Sequence, residues 1–269
     1  MSNHPQPHAT ERFVKDGVVV SRDAYVVRGT DRGLTVGMSA FETLRTYAGR
    51  LFRLGEHLAR LEGSVNTLGL PWPGAAVVTA DLETAAAGLA PELGVRILIT
   101  PETRLVHASP LDLSLVEKPL RVATRVWEPA PWLDGRVKHG SRAPSEVARQ
   151  RAEVDEVFWV GRDGVMTEAT RSSIFAVIDG RLVTPPDDGR ILPGVTRSAL
   201  IDTARELGLE VIERGISPRE AMNELYASST LKELSPVVEL DGNPAPGGGP
   251  VGRRLLLAFR ALVVRECSG

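Results

Sequence analysis

Cysteine is nearly absent. The single thiol, Cys267, excludes a disulfide framework and a cysteine-built metal site, fits a reducing compartment, and is expected to be structurally idle. No metal site is expected. Charge of one sign is also lacking: the formal net charge is -2 and the basic residues are dispersed, so the footprint of a nucleic-acid binder is missing. No apolar run can span a bilayer, since the longest near the C terminus, Leu255 to Val264, is interrupted by Arg260. Neither nucleic acid nor membrane is an expected partner. Residues 1–10 are polar, without the positive patch and apolar stretch of a secretory signal, which predicts a disordered tail and a cytoplasmic protein. There is no internal repeat and no low-complexity segment. Lysine is scarce beside abundant arginine: only Lys15, Lys118, Lys138 and Lys232 are available to any chemistry that needs an amine.

What remains is an ordinary folded composition, 269 residues with 42% hydrophobic and 25% charged, enough for one large core or two modest ones. Arg12 to Thr46 reads as extended segments, with Asp16-Gly17 a hairpin signal. Leu54, Leu58, Leu61, Val65 and Leu68 recur at spacings of three and four, which predicts an amphipathic helix ending at Gly69. A second helix is expected over Val77 to Leu89, with strands at Val95 to Thr100 and Leu120 to Val126. The Pro-rich stretch from Glu128 to Pro131 reads as a boundary, giving a domain over 11–128, a linker at 129–135 and a domain over 136–269. In that second part a short helix is expected over Pro144 to Ala152. Strands are expected at Glu156 to Val160, Ser172 to Val177 and Arg181 to Thr184, separated by Asp163-Gly164 and Asp179-Gly180. A helix over Val195 to Leu207, strands at Glu224 to Ser228 and Val237 to Leu240, and a closing helix over Val251 to Glu266 complete an α+β chain of two domains.

Two places could carry chemistry on their own terms. Pro193-Gly194-Val195-Thr196-Arg197 opens a helix, where unpaired amides, the helix dipole and the Thr196 hydroxyl suit an anion; taken alone, Pro-Gly could simply turn the chain. Glu168 lies between a turn and a strand, where a lone glutamate is usually a solvated charge.

The ordered spacing of Glu168, Ile174-Phe175, Leu182-Val183-Thr184 and Leu192-Pro193-Gly194-Val195-Thr196-Arg197 resembles the class IV aminotransferases. These are the fold-type-IV enzymes of pyridoxal 5'-phosphate (PLP), among them branched-chain and D-amino acid aminotransferases and 4-amino-4-deoxychorismate lyase. The resemblance extends to Phe41-Glu42-Thr43-Leu44-Arg45, Glu56-His57-Leu58-Ala59-Arg60-Leu61, Val137-Lys138-His139-Gly140-Ser141-Arg142, and Ser228 to Val237. Ser173 stands where the family has asparagine. Ala143 and Val36 stand where branched-chain enzymes have tyrosine, and Arg104 and His107 do not match the spacing of the D-amino acid enzymes' carboxylate trap.

The resemblance implies a two-domain fold-type-IV architecture similar to D-amino acid aminotransferase, a PLP cofactor, a homodimer, and small amino acid and α-keto acid substrates. It implies Lys138 as the Schiff-base lysine that also moves the substrate α-proton, and Glu168 as partner of the pyridine nitrogen. It further implies Arg60, the Val195 and Thr196 amides and the Thr230 hydroxyl as phosphate ligands. Arg45, Arg96, Arg104 and Arg142 are generic candidates for a substrate carboxylate, because a guanidinium offers a bidentate fork. Lys138-His139-Gly140-Ser141-Arg142 is also similar to the lyase pattern, so pyruvate elimination stays open as an alternative to amino transfer, as does a non-catalytic protein on the same fold.

Overall fold

The computed structural model describes residues 11–267. The chain divides into a first unit ending at Leu111 and a second over Asp112–Glu266. The expected tail, 1–10, lies outside the described residues.

The first unit contains β1 (Arg12–Lys15), β2 (Val18–Val20), a short α1 (Arg32–Thr35), β3 (Ala40–Tyr47), β4 (Arg50–Leu51), α2 (Leu54–Thr67), α3 (Ala75–Ala86), β5 (Leu93–Ile99) and β6 (Arg104–Pro110). Its six strands form an antiparallel sheet in the order β2-β1-β6-β5-β3-β4. Asp16 and Gly17 both take positive φ, the backbone that a tight hairpin between twisted strands requires. One sheet face carries Val14, Leu44, Val95, Ile97 and Val106, which meet Leu61 and Val65 of α2 and Val78 and Leu82 of α3 in a closed core. The helical stripe legible in the sequence is therefore the face that α2 buries. β6 was not anticipated: its polar Arg104, His107 and Ser109 mask a strand that pairs along its whole length with β5.

The second unit contains β7 (Leu120–Val126), α4 (Ala143–Ala152), β8 (Glu156–Val160), β9 (Met166–Ala169), β10 (Ser173–Ile178), β11 (Arg181–Thr184), α5 (Val195–Glu206), β12 (Val211–Glu213), β13 (Glu224–Ser229), β14 (Glu233–Leu240), β15 (Asn243–Pro244) and α6 (Pro250–Cys267). Its strand order is β12-β11-β10-β13-β14-β7-β8-β9, with β15 on β14. The division of the chain falls earlier than the expected 129–135 linker, because β7 lies parallel between β14 and β8 and so belongs to the second sheet. β14 begins at Glu233, before the expected Val237, and takes Pro236 into its register opposite Tyr226. Among the described residues, no helix is long and apolar enough to cross a membrane.

The start of α6 is pinned by one buried carboxylate. Glu224 accepts from the Tyr226 hydroxyl at 2.6 Å and from the amides of Val251 and Gly252 at 2.9 and 2.8 Å, and the Tyr226 oxygen accepts from the Gly249 amide at 2.8 Å. The negative charge meets the positive end of the helix and satisfies amides that have no partner within it. There is no space for a side chain at this contact: a Cβ on Gly252 would lie 2.1 Å from the Tyr226 oxygen. Gly252→Ala is expected to cost roughly 2–3 kcal/mol by overpacking, read as a lower urea midpoint with an unchanged m-value.

Candidate active site

Lys138 lies in an irregular segment ahead of α4, and Glu168 on β9. The Glu168 Oε2 accepts from the Leu192 amide at 2.9 Å, which ties β9 to the loop leading into α5. Burial pushes the Glu168 carboxyl up to about 7, against the opposing pull of the Leu192 amide and the positive charges of Lys138 and Arg142; the like charge of Glu156 adds to the rise. Lys138, Arg142 and Glu168 therefore share one electrostatic environment. Two other lysines are engaged elsewhere, Lys15 on the Val26 carbonyl at 2.9 Å and Lys118 on Asp155 at 3.1 Å. Lys232 sits in the turn between β13 and β14, where burial lowers its proton affinity, partly offset by Glu156. Of the four lysines, Lys138 is the one whose charge acts on Glu168.

The sequence reading expects an anion at the start of α5. Gly194 holds extended backbone at the N-cap and no side chain caps the helix, so the first-turn amides of Val195 and Thr196 have no partner inside it. A Cβ on Gly194 would lie 2.8 Å from the Ser173 Oγ and 3.1 Å from the Arg197 Cβ, so glycine lets the start of α5 approach β10 closely without displacing that hydroxyl. Ser173 pairs with Ser228 across β10 and β13, which brings the turn carrying Thr230 to the same end of the sheet. Beneath that turn the Ser228 and Ser235 hydroxyls are buried without a partner. An uncapped helix start closely packed at Gly194 and a nearby Thr230 fit a phosphate, and a carboxyl held near neutrality fits a pyridine nitrogen. The residues present thus suit PLP.

Arg197, the last residue of the family-like pattern, is held by protein groups. Its Nη2 donates to the Pro185 carbonyl at 2.7 Å and pairs with Glu213 at 2.9 Å, while its Nε reaches the Thr184 hydroxyl at 3.3 Å. Thr184 in turn donates to the Ile174 carbonyl at 2.8 Å, so Thr184 and Arg197 lock β10, β11 and α5 together.

In the first unit Arg60 donates from Nε and Nη2 to Glu42 at 2.7 and 2.9 Å, and His57 Nδ1 lies 2.8 Å from the same carboxylate. Although burial opposes it, Arg60 and His57 hold Glu42 well below the usual carboxylate range. Two candidates for a substrate carboxylate are paired with acids: Arg45 with the half-buried Glu92 at 3.0 Å, and Arg104 with the buried Asp81. Arg96 is exposed, with its guanidinium carbon 4.0 Å from the Phe41 ring centroid. Arg142 donates to the Thr170 carbonyl, fastening the segment after Lys138 to the turn after β9. Sequence reading missed Glu156, a 2% exposed acid opening the wholly buried strand Glu156-Val157-Phe158-Trp159-Val160. The available signal was a charged residue in an otherwise apolar run.

This arrangement defines a class of protein: an α+β chain whose second unit sets the charge of a lysine against a carboxyl that is tied to the loop leading into α5. Residues 39–240 match the family model for amino-transferase class IV, and the chain belongs to that family, whose members depend on PLP. It is an aminotransferase. A Methanocaldococcus jannaschii protein provisionally named a branched-chain-amino-acid aminotransferase is 31% identical over 79% of this chain and 82% of its own. D-alanine aminotransferase of Bacillus licheniformis is 25% identical, covering 94% of this chain and 97% of its own. Among solved structures, a hypothetical aminotransferase from Mycobacterium tuberculosis in its α-ketoglutarate and PMP bound form superposes with a TM-score of 0.86 at 25% identity, over 95% of this chain and 99% of that one.

The raised affinity of Glu168 for its proton gives a sign for stability. In the unfolded chain a glutamate ionises near 4.5, so between there and about 7 the folded, ligand-free protein retains a proton that the unfolded chain releases, and stability falls as pH rises through that window. Glu168→Gln cannot ionise. In the absence of ligand it is expected to be more stable than wild type above pH 7.5, by roughly 2 kcal/mol, with the gap closing below pH 5. Thermal melts of both proteins across this range check it.

Proposed function

We propose that Lys138 holds PLP and that the protein exchanges an amino group between a small aliphatic amino acid and an α-keto acid. The observation that carries this reading is the electrostatic grouping of Lys138 with Glu168, whose carboxyl sits near neutrality. The names of the relatives support branched-chain or D-type donors. The ligand in the M. tuberculosis structure supports an α-keto diacid as acceptor.

When bound, PLP supplies an electron sink at the donor α-carbon and a carrier for the amino group. The rest of the work falls to the chain. The Lys138 amine, after losing its own proton, takes the proton from the donor α-carbon and returns a proton on the far side of the transfer. Glu168 holds a proton at the pyridine nitrogen, a task suited to a carboxyl poised to share it. The Val195 and Thr196 amides and the Thr196 and Thr230 hydroxyls bind the phosphate and fix register, taking no part in bond making. Arg142 keeps the Lys138 segment against the turn that follows Glu168. A homodimer in the cytoplasm extends this reading, supported by the resemblance and by the lone, buried Cys267.

The decisive experiment is the visible spectrum of the purified protein with added PLP. Wild type is expected to show the band of a lysine-bound cofactor, which borohydride fixes onto the Lys138 peptide and which Lys138→Ala lacks; no band in wild type sinks the reading. Incubation with amino donors and α-keto acids, beside aminodeoxychorismate, then separates transfer from elimination. Pyruvate and p-aminobenzoate released without net amino transfer would favour the lyase. Thr196→Val and Thr230→Val are each expected to weaken PLP binding about tenfold, the loss of one hydrogen bond to a charged group, as read by fluorescence titration.

A further inference from the structure

Glu156 is a buried acid to which the proposed chemistry assigns no task. Its side chain is satisfied by short-range donors: the Thr170 hydroxyl and the Val157 amide (3.1 Å) on Oε1, and the Ser172 hydroxyl at 3.1 Å on Oε2. Among the described residues it makes no ion pair within 4.0 Å. Such a charge is costly to bury, and replacing it by an apolar residue would be expected to stabilise a fold that needed it for nothing else.

What Glu156 grips is the short turn after Glu168. That turn is also fastened by the Thr170 amide on the Val157 carbonyl at 2.9 Å and by the Ala169 amide on the Ser172 carbonyl at 2.8 Å. On its other side Arg142 donates to the Thr170 carbonyl. Thr170 is thus a relay between β8 and the Lys138 segment, and Ser172 precedes the residue that packs on Gly194. The two hydroxyls held by Glu156 lie in the chain between Glu168 and Ser173. The charged groups around Glu168 are Lys138, Arg142 and Glu156, and those coupled to Glu156 also include Lys232.

We propose that Glu156 is a positioning residue for Glu168: it fixes the Thr170–Ser172 turn through both hydroxyls, and its negative charge acts across that turn on the Glu168 carboxyl. This rests on the reading of Glu168 as the partner of the pyridine nitrogen. A carboxylate serves here where an apolar residue would not, because only an acceptor can hold two hydroxyls, and a like charge adds to the effect of burial on its neighbour.

The test uses the ligand-free protein first. With glutamate labelled at Cδ, carbon NMR follows each carboxyl through pH, and Glu168→Gln identifies the Glu168 signal. Glu156→Gln is expected to lower the Glu168 midpoint by roughly half a unit, since a like charge has gone. In the PLP-loaded enzyme it should lower kcat about tenfold while KM for the amino donor stays within about twofold, the signature of an interaction that matters only in the transition state. Thr170→Val keeps the charge and removes one tether; it is expected to lower kcat about fivefold with KM unchanged, and it carries the test alone if Glu156→Gln does not fold. An unmoved Glu168 midpoint in Glu156→Gln overturns the proposal, as does wild-type kcat in Thr170→Val. Should the wild type take up no PLP, the proposed function fails, while the titration still decides the link between the two carboxyls.

Discussion

The start of α5 packs closely on the start of β10: a Cβ at position 194 would stand 2.8 Å from the Ser173 Oγ, so a larger residue there would have to turn that hydroxyl aside. That close approach orders one end of the second unit's sheet. It sets the uncapped amides of Val195 and Thr196 against the end of the sheet, and the pairing of Ser173 with Ser228 carries the Thr230 turn to the same place. The Leu192 amide, two residues before Gly194, closes on Glu168. A cradle assembled from backbone is rigid in a way that one built from long side chains is not, since its donors lose almost no rotamer freedom on binding. The lock between Arg197 and Thr184 then holds the helix to β11, so its start cannot drift from the strand it serves.

Buried acids organise both units, each with a different counterweight. Glu42 is offset by full charges, Arg60 and His57, and is held firmly ionised. Glu224 is offset by a helix start and a tyrosine hydroxyl. Glu168 has one amide and two cations that act at a distance, too little to overcome burial, and its carboxyl rises towards neutrality. The first two solutions suit permanent anchors. The third suits a group that must share a proton, which is the physical distinction between a carboxylate that holds a fold and one available for chemistry.

Much of this was legible in the chain. The stripe of Leu54, Leu58, Leu61, Val65 and Leu68 has a single reading, and α2 buries that face. The Asp16-Gly17 and Asp179-Gly180 pairs marked hairpins because few other residues tolerate the positive φ found there. The spacing from Glu168 to Arg197 was recognisable because each member has a local duty that a different residue type would fail. What escaped had no local signature. β6 depends on pairing with β5, which no window of its own sequence reveals, and β7 is assigned to the second unit by parallel neighbours that lie far along the chain. The commitments of Arg45 and Arg104 to Glu92 and Asp81 are likewise tertiary, so four arginines that look equivalent in sequence separate only in the structure.

The departures from the family pattern follow from the same geometry. Position 173 touches the glycine of the cradle, where the asparagine usual in the family would bring a longer side chain with both donor and acceptor; serine leaves a single hydroxyl against Gly194. Position 143 is the first residue of α4, directly after Arg142 at the N-cap. Beside it, the Arg142 guanidinium bonds the Thr170 carbonyl in the turn after β9. Thr170 donates its hydroxyl to Glu156 while its carbonyl accepts from Arg142, so one residue joins the two segments that carry Lys138 and Glu168. A change at the exposed position 143 therefore leaves the Lys138 segment tethered, because the bond from Arg142 to the Thr170 carbonyl does not involve it.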